Sequence, residues 1–223
     1  MKNAFVIIML VFVALFFLVN NKEGSNKHIA ESYPWQIKIL PDGRTSVFGV
    51  VLDETTLKQV DLLLKGTPKV AMFEVDNKLS LEAYYKNVSL GGLIGSFIFT
   101  LDVKDEELIA IKNSGSKKTR SEVKGYRYDL DKPTTDKSKS LVVKNLIYIP
   151  TVQLDEETII TRFGEPAKKI KLKTKEAGWH YLYPKKGLDL IYKAESKEVL
   201  QYIQPTKFNA LLAPLLSDQN QKH

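Results

Sequence analysis

Three histidines, His28, His180 and His223, come first in any search for chemistry, because imidazole is the commonest acid–base group and metal ligand near neutral pH. No two of them stand at the spacing of a metal-ligand pair, and the chain has no cysteine to add thiolate ligands. His180 follows Trp179 in a strand-like stretch, where a surface or half-buried position is the ordinary one, and it is the sole hint of a hydrolase. The acidic runs Asp105-Glu106-Glu107 and Asp155-Glu156-Glu157 could pair carboxylates for proton transfer or hold a cation. Each opens a helical pattern, so capping and the helix dipole account for both without catalysis. Gly91-Gly92-x-x-Gly95 lacks the strand-to-helix setting and the lysine of a phosphate loop and fits a bend between strands. There is no Gly-x-Ser-x-Gly elbow. The reading is of a non-enzymatic chain with no catalytic, cofactor or metal residues.

Binding chemistry is better represented. Lys168-Lys169-x-Lys171-x-Lys173-x-Lys175 alternates with Ile170, Leu172 and Thr174, which on a strand sends lysines to one face. Protection of a sheet edge explains such a run, and contact with anionic lipid headgroups or an acidic partner is the functional alternative. Trp179, Tyr181, Tyr183 and Tyr192 recur at strand spacing, as core packing or as interface anchors. Lys169, Lys171, Lys173, Trp179, Tyr181 and Tyr183 are therefore the candidate partner-binding set.

The chain has 223 residues, 43% hydrophobic and 26% charged, a balance that fits a folded protein. The net charge of +7 is carried by lysine far more than arginine, and no arginine–aromatic cluster resembles a nucleic-acid platform. Nucleic acid is not an expected partner. The missing cysteines exclude a disulfide framework, a thiol nucleophile and a lipidated N-terminal cysteine.

Ala4 to Val19 reads AFVIIMLVFVALFFLV, an unbroken apolar run after Lys2. A buried core helix, a cleaved signal peptide and a membrane anchor compete for it. The charged start argues for a targeting segment, and the lack of small residues before Asn20 argues against cleavage. About 16 residues is slightly short of the ~20 of a typical span, with Asn20 and Asn21 available at the headgroups. An uncleaved single-pass anchor in the inner (cytoplasmic) membrane is the favoured reading. Its short N-terminal flank places the remainder in the periplasm.

The elements that follow would position everything else. Asn20 to Ser32 is a polar tether, and Pro41-Asp42-Gly43 turns a hairpin. Leu57, Val60, Leu63 and Leu64 keep a helical period, with Asp53 as the expected N-cap and Gly66-Thr67-Pro68 as the stop. Strands are expected over Val70–Val75, Leu79–Val88 and Leu93–Leu101, then a short helix over Asp105–Lys112. After a polar, basic stretch with a possible strand at Tyr126 and Tyr128, the pattern repeats. Leu141–Ile149 is a strand, Leu154 to Phe163 a capped helix stopped at Gly164-Glu165-Pro166, and Trp179–Tyr183, Leu188–Tyr192 and Val199–Ile203 are strands. The expected class is α+β: two tandem modules, each a short helix on an antiparallel sheet, behind one transmembrane helix. The boundaries read 1–21 anchor, 22–32 tether, 33–113 first module, 114–140 basic linker, 141–216 second module and 217–223 polar tail.

Leu154-Asp155-Glu156-Glu157, Arg162-Phe163-Gly164-Glu165-Pro166, Trp179-x-Tyr181 and Val199-Leu200-Gln201-Tyr202 carry a resemblance. Over about 60 residues the second half resembles the small lipoprotein subunit of the outer-membrane β-barrel assembly machinery and the β-lactamase-inhibitor fold. Gly66-Thr67-Pro68 and Glu82-Ala83-Tyr84-Tyr85 mark the first half as a more divergent copy. The chain departs from those lipoproteins in having no lipidation cysteine, two copies and a helical anchor. The resemblance implies a module that binds other proteins. The expected function is thus a membrane-anchored accessory protein that binds another envelope or membrane protein. A binder of anionic lipid or a cell-wall ligand is the alternative, and a hydrolase with an unfamiliar site the remote one.

Overall fold

The structure, a computed structural model, describes residues 33–114, 117–120, 125–172 and 178–217. The expected anchor, the tether, Lys173, and residues 218–223 of the expected tail lie outside them. Among the described residues no helix is long and apolar enough to cross a membrane.

The class is α+β, built on a large antiparallel sheet. Lys38–Ile39 (β1), Thr45–Val47 (β2) and Val50–Val51 (β3) form a small three-stranded sheet of their own. The large sheet takes Lys69–Val75 (β4), Lys78–Leu90 (β5), Leu93–Leu101 (β6), Lys118–Arg120 (β7), Tyr126–Asp129 (β8) and Val143–Pro150 (β9). It is completed by Lys168–Lys171 (β10), Gly178–Tyr183 (β11), Leu188–Lys193 (β12) and Val199–Tyr202 (β13). The order across its ten strands is β10-β11-β12-β13-β9-β6-β5-β4-β8-β7. Each half thus supplies an antiparallel meander, and β9 joins them by pairing with β6 on one side and β13 on the other. The stretch 114–140, expected as a basic linker, carries β7 and β8, and β8 extends the sheet by pairing with β4 (Met72 opposite Tyr128).

Helices Leu57–Leu64 (α1), Asp105–Asn113 (α2), Lys132–Ser138 (α3) and Glu156–Phe163 (α4) accompany this sheet. Leu57, Val60 and Leu64 of α1 are buried at i, i+3, i+7 spacing, and Ile159 and Phe163 of α4 at i, i+4. They pack in one core with Leu81, Tyr85, Phe97, Phe99, Leu146, Tyr148, Tyr181 and Tyr202 from the sheet, and Val47, Phe48 and Leu52 of the small sheet join it. That core runs through both halves.

Asp155 caps α4 as expected, its carboxylate accepting from the Thr158 N–H at 2.6 Å. The expected cap of α1 is corrected. Asp53 takes a left-handed turn conformation at φ 61° and its N–H donates to the Val143 carbonyl at 2.7 Å. Thr56 caps instead, in a reciprocal box with Gln59 worth about 1 kcal/mol. A longer-range tie fixes the small sheet. The buried Gln204 side chain accepts from the Thr45 N–H (2.8 Å) and donates to the Leu52 carbonyl (2.9 Å), while the Tyr202 hydroxyl donates to the Pro34 carbonyl (2.8 Å).

The two long helix–sheet contacts match across the halves. On the second strand after α1, the Tyr85 hydroxyl donates to Asp61 of that helix at 2.5 Å; on the second strand after α4, Tyr181 donates to Glu156 at 2.5 Å. Burial, with a carboxylate beside it, pushes the Tyr181 hydroxyl up to about 12 and the Tyr85 hydroxyl higher still, so both remain donors at any physiological pH. Tyr85→Phe leaves Asp61 without this partner, and about 1.5–3 kcal/mol is at stake for a hydrogen bond to a charged group. Tyr181→Phe is the milder change, because Lys169 also holds Glu156 at 2.9 Å. Urea melts of the two variants should fall in that order; equal, negligible losses would contradict it.

Candidate functional site

The helices α1 to α4 and the small sheet lie on one face of the large sheet. The opposite face is built from the alternate residues of each strand, and these are apolar as well as polar. Paired residues form a row from β11 to β5: Leu182, Asp189, Gln201, Ile147, Ile98 and Tyr84. Ile191 and Val199 pair beside this row, and Ile149 pairs with Ser96. An antiparallel sheet with one wet face ordinarily alternates apolar and polar along each strand. Here β6 reads LIGSFIFTL and β9 reads VKNLIYIP, and their far side mixes Ile98, Ile147 and Ile149 with Ser96, Thr100 and Asn145. Phe97, Phe99, Leu146 and Tyr148 fill the core side and are buried, whereas Ile98, Ile147, Ile149, Ile191, Val199 and Tyr84 are half-buried on the far side.

One end of that far side is covered. Asn209–Ser217 (α5) lays Leu211, Leu212 and Leu215 against Ile170, Leu182, Ile203 and Phe208, a second and smaller apolar cluster. At its margin His180 and Asp189 form a buried pair, Nδ1 lying 3.0 and 2.9 Å from the two carboxylate oxygens. The carboxylate fixes the ring orientation as in many catalytic dyads. The residues directly across from His180 are Ile170 and Ile191, so no nucleophile stands at its sides. Among the described residues no group of three or more His, Cys, Asp or Glu could hold a metal. The pair is a rigid polar edge to an apolar field. On the opposite margin Asn145, Thr100 and Glu82 line up across β9, β6 and β5. Burial raises the Glu82 carboxyl above its ordinary range, partly offset by the Ser80 hydroxyl that donates to it at 2.8 Å. An apolar centre with a polar rim is the anatomy of a protein-docking surface.

The six residues singled out from sequence lie elsewhere or outside the described residues. Lys169 is opposite Tyr181, and Lys171 opposite Trp179, all on the helix-bearing face at the β10 edge. Tyr181 and Tyr183 are buried, with the Tyr183 hydroxyl donating to the Gly164 carbonyl at 2.9 Å. Lys169 is engaged with Glu156 and lies 4.5 Å from the Tyr181 ring centre. Trp179 is 40% exposed. Lys173 is outside the described residues. Sequence reasoning passed over Ile98, Ile147 and Ile149, although the unbroken run Leu146-Ile147-Tyr148-Ile149 was the available signal of a strand with two apolar faces.

One buried carboxyl has a separate structural role. Glu198, fully buried, accepts from the Leu154 N–H at 3.0 Å ahead of α4, and its other oxygen has no partner among the described residues. Burial raises its pKa in the fold. A carboxyl whose folded pKa exceeds its unfolded value costs stability that is absent below the unfolded pKa and sets in as pH rises past it. Glu198→Gln keeps an acceptor for Leu154 and removes the charge. Its melting temperature should exceed that of the parent at pH 7 and converge with it near pH 4; a variant less stable at pH 7 would refute this.

No family model, curated protein or solved structure matches the chain.

Proposed function

We propose that the chain is a membrane-anchored, non-enzymatic accessory protein that binds another envelope or membrane protein through the open face of its large sheet. The observation that carries this reading is the half-buried row Ile147–Ile98–Tyr84 with Ile149, Ile191 and Val199 beside it, flanked by polar residues. Contiguous apolar surface of that kind marks interaction sites on folded proteins. The apolar run Ala4–Val19 supplies the anchor, in the inner membrane with the domain in the periplasm, and the polar tether gives the domain limited reach.

The internal repeat supports the same reading. Helix, Gly-x-Pro stop, antiparallel meander and a tyrosine tied back to the helix occur twice, consistent with two tandem copies of a small binding module fused edge to edge through β9. Fusion doubles the width of the open face, which would suit a partner larger than a peptide.

A photoreactive phenylalanine analogue at position 147 tests the proposal in intact cells. It should capture one defined protein neighbour, whereas the same analogue at Ile109 on the outer side of α2 should not. Equal capture at both positions, or none at 147, would sink the reading.

A further inference from the structure

We propose that the β10 edge is a docking surface for the anionic headgroups of the membrane in which the chain is anchored. This deepens the proposed function and rests on its anchored reading.

Three observations converge on this edge. β10 is the terminal strand of the sheet, and its lysines lie on both faces: Lys169 and Lys171 toward the helices, Lys168 away from them. Lys169 is neutralised by Glu156, but neither Lys168 nor Lys171 has an ion-pair partner among the described residues. Directly opposite Lys171 stands Trp179, a large aromatic residue left 40% exposed. An indole beside the Lys171 ammonium, with Lys168 on the other face of the same edge strand, is a pairing that favours the membrane–water interface, where the ring sits among headgroups and the charges meet phosphates. Edge protection alone asks for the lysines and not for an exposed tryptophan.

The location agrees. The described chain begins at Tyr33, whose ring stacks on Trp35 at 5.0 Å; Trp35 lies against Phe163 of α4, and the Arg162 guanidinium lies over the Trp35 ring at 4.9 Å. The other end of α4 carries Glu156, held by Lys169 of β10. The tether therefore joins the domain within one short helix of the basic edge, roughly 12 Å at 1.5 Å per residue. The centre of the open face stays clear for a partner, because Lys169, Lys171 and Trp179 lie on the opposite side and Lys168, on the open side, stands on the terminal strand.

The test uses the full chain reconstituted into vesicles of phosphatidylcholine alone or mixed with anionic phosphatidylglycerol. The chain has two tryptophans, so Trp35→Phe leaves Trp179 as the sole emitter. Brominated lipid should quench it in anionic vesicles and not in zwitterionic ones, and high salt should reverse the quenching as the Debye length shrinks. Lys168→Gln combined with Lys171→Gln should lower the ratio of docked to undocked domain roughly 25-fold, about fivefold per lysine. Should Trp35→Phe not fold, Trp179→Phe in the parent must abolish the salt-sensitive part of the quenching. Equal quenching in both vesicles, or none in either, overturns the proposal; the second result would hand the lysines to a soluble acidic partner. Alkaline extraction reads the anchor separately. A chain lost from the vesicles under alkali but quenched by anionic lipid before it would retain the docking surface and discard the anchor.

Discussion

Gly187→Ala should destabilise the domain by about 3 kcal/mol or more. Gly187 sits between a 3-10 turn, Pro184–Lys186, and β12, at φ 63°, where an L side chain is strained. A Cβ there would also collide with the carbonyl oxygen of Ile203. That is backbone, and it has no rotamer with which to retreat. The two segments are bonded to each other, since the Ile203 N–H donates to the Gly187 carbonyl at 2.9 Å. Moving them apart disturbs the pairing of Leu188 with Tyr202, and Tyr202 in turn holds Pro34. Urea titration should show a lower midpoint with an unchanged slope. A loss under about 1 kcal/mol would mean that the β12–β13 end yields more easily than its hydrogen bonds imply.

Ile98→Lys combined with Ile147→Lys should abolish capture of the partner while leaving the fold intact. The two isoleucines are direct neighbours on the open face, on β6 and β9 at the middle of the sheet. Central apolar residues of an interface commonly contribute ~2 kcal/mol or more each, so the pair should weaken association by at least about 100-fold. In the free protein both are half-buried, and a lysine stem can lie along the same surface with its charge in water. The stability change should therefore stay within about 1 kcal/mol. Ile109→Lys on α2, at 51% exposure, is the matched control and should bind normally. If the double variant captured its partner as well as the parent does, the open face would not be the binding surface.

Local signals in the sequence were reliable where a single element decides the outcome. Asp155 before an acidic first turn, Gly164 after Phe163, and the alternation through Trp179–Tyr183 each report a choice made within a few residues. Asp53 misled because Asp53-Glu54 has the composition of a helix start, while the backbone there is committed to a turn bonded to Val143 and the capping geometry falls to Thr56. Tyr126 and Tyr128 gave only a faint strand pattern, since what makes β8 a strand is its distant partner β4. The joining of the halves was not legible for the same reason. The pairing of β6 with β9 crosses about 40 residues of chain, and strand pairing of this range leaves no local mark. His180 and Asp189 look unrelated until β11 and β12 fold into a hairpin that sets them diagonally on one face. The open face was visible in part: Leu146-Ile147-Tyr148-Ile149 is too apolar for a strand with a wet side, though which side stays uncovered is decided by where the helices pack.

Gln204 has a bearing on when the molecule can assemble. Its amide is shared between Thr45 and Leu52, so the small sheet takes two of its ties from a residue some 150 positions later. A chain emerging from a ribosome or a translocation channel with its N-terminus leading completes β1 to β3 long before the Gln204 ties can form. Domains generally fold as units once their chain is available, and early segments awaiting late partners are the ones open to chaperones and proteases. A chain truncated before Gln204 should therefore hold its first strands less firmly, which faster limited proteolysis within 38–51 would show.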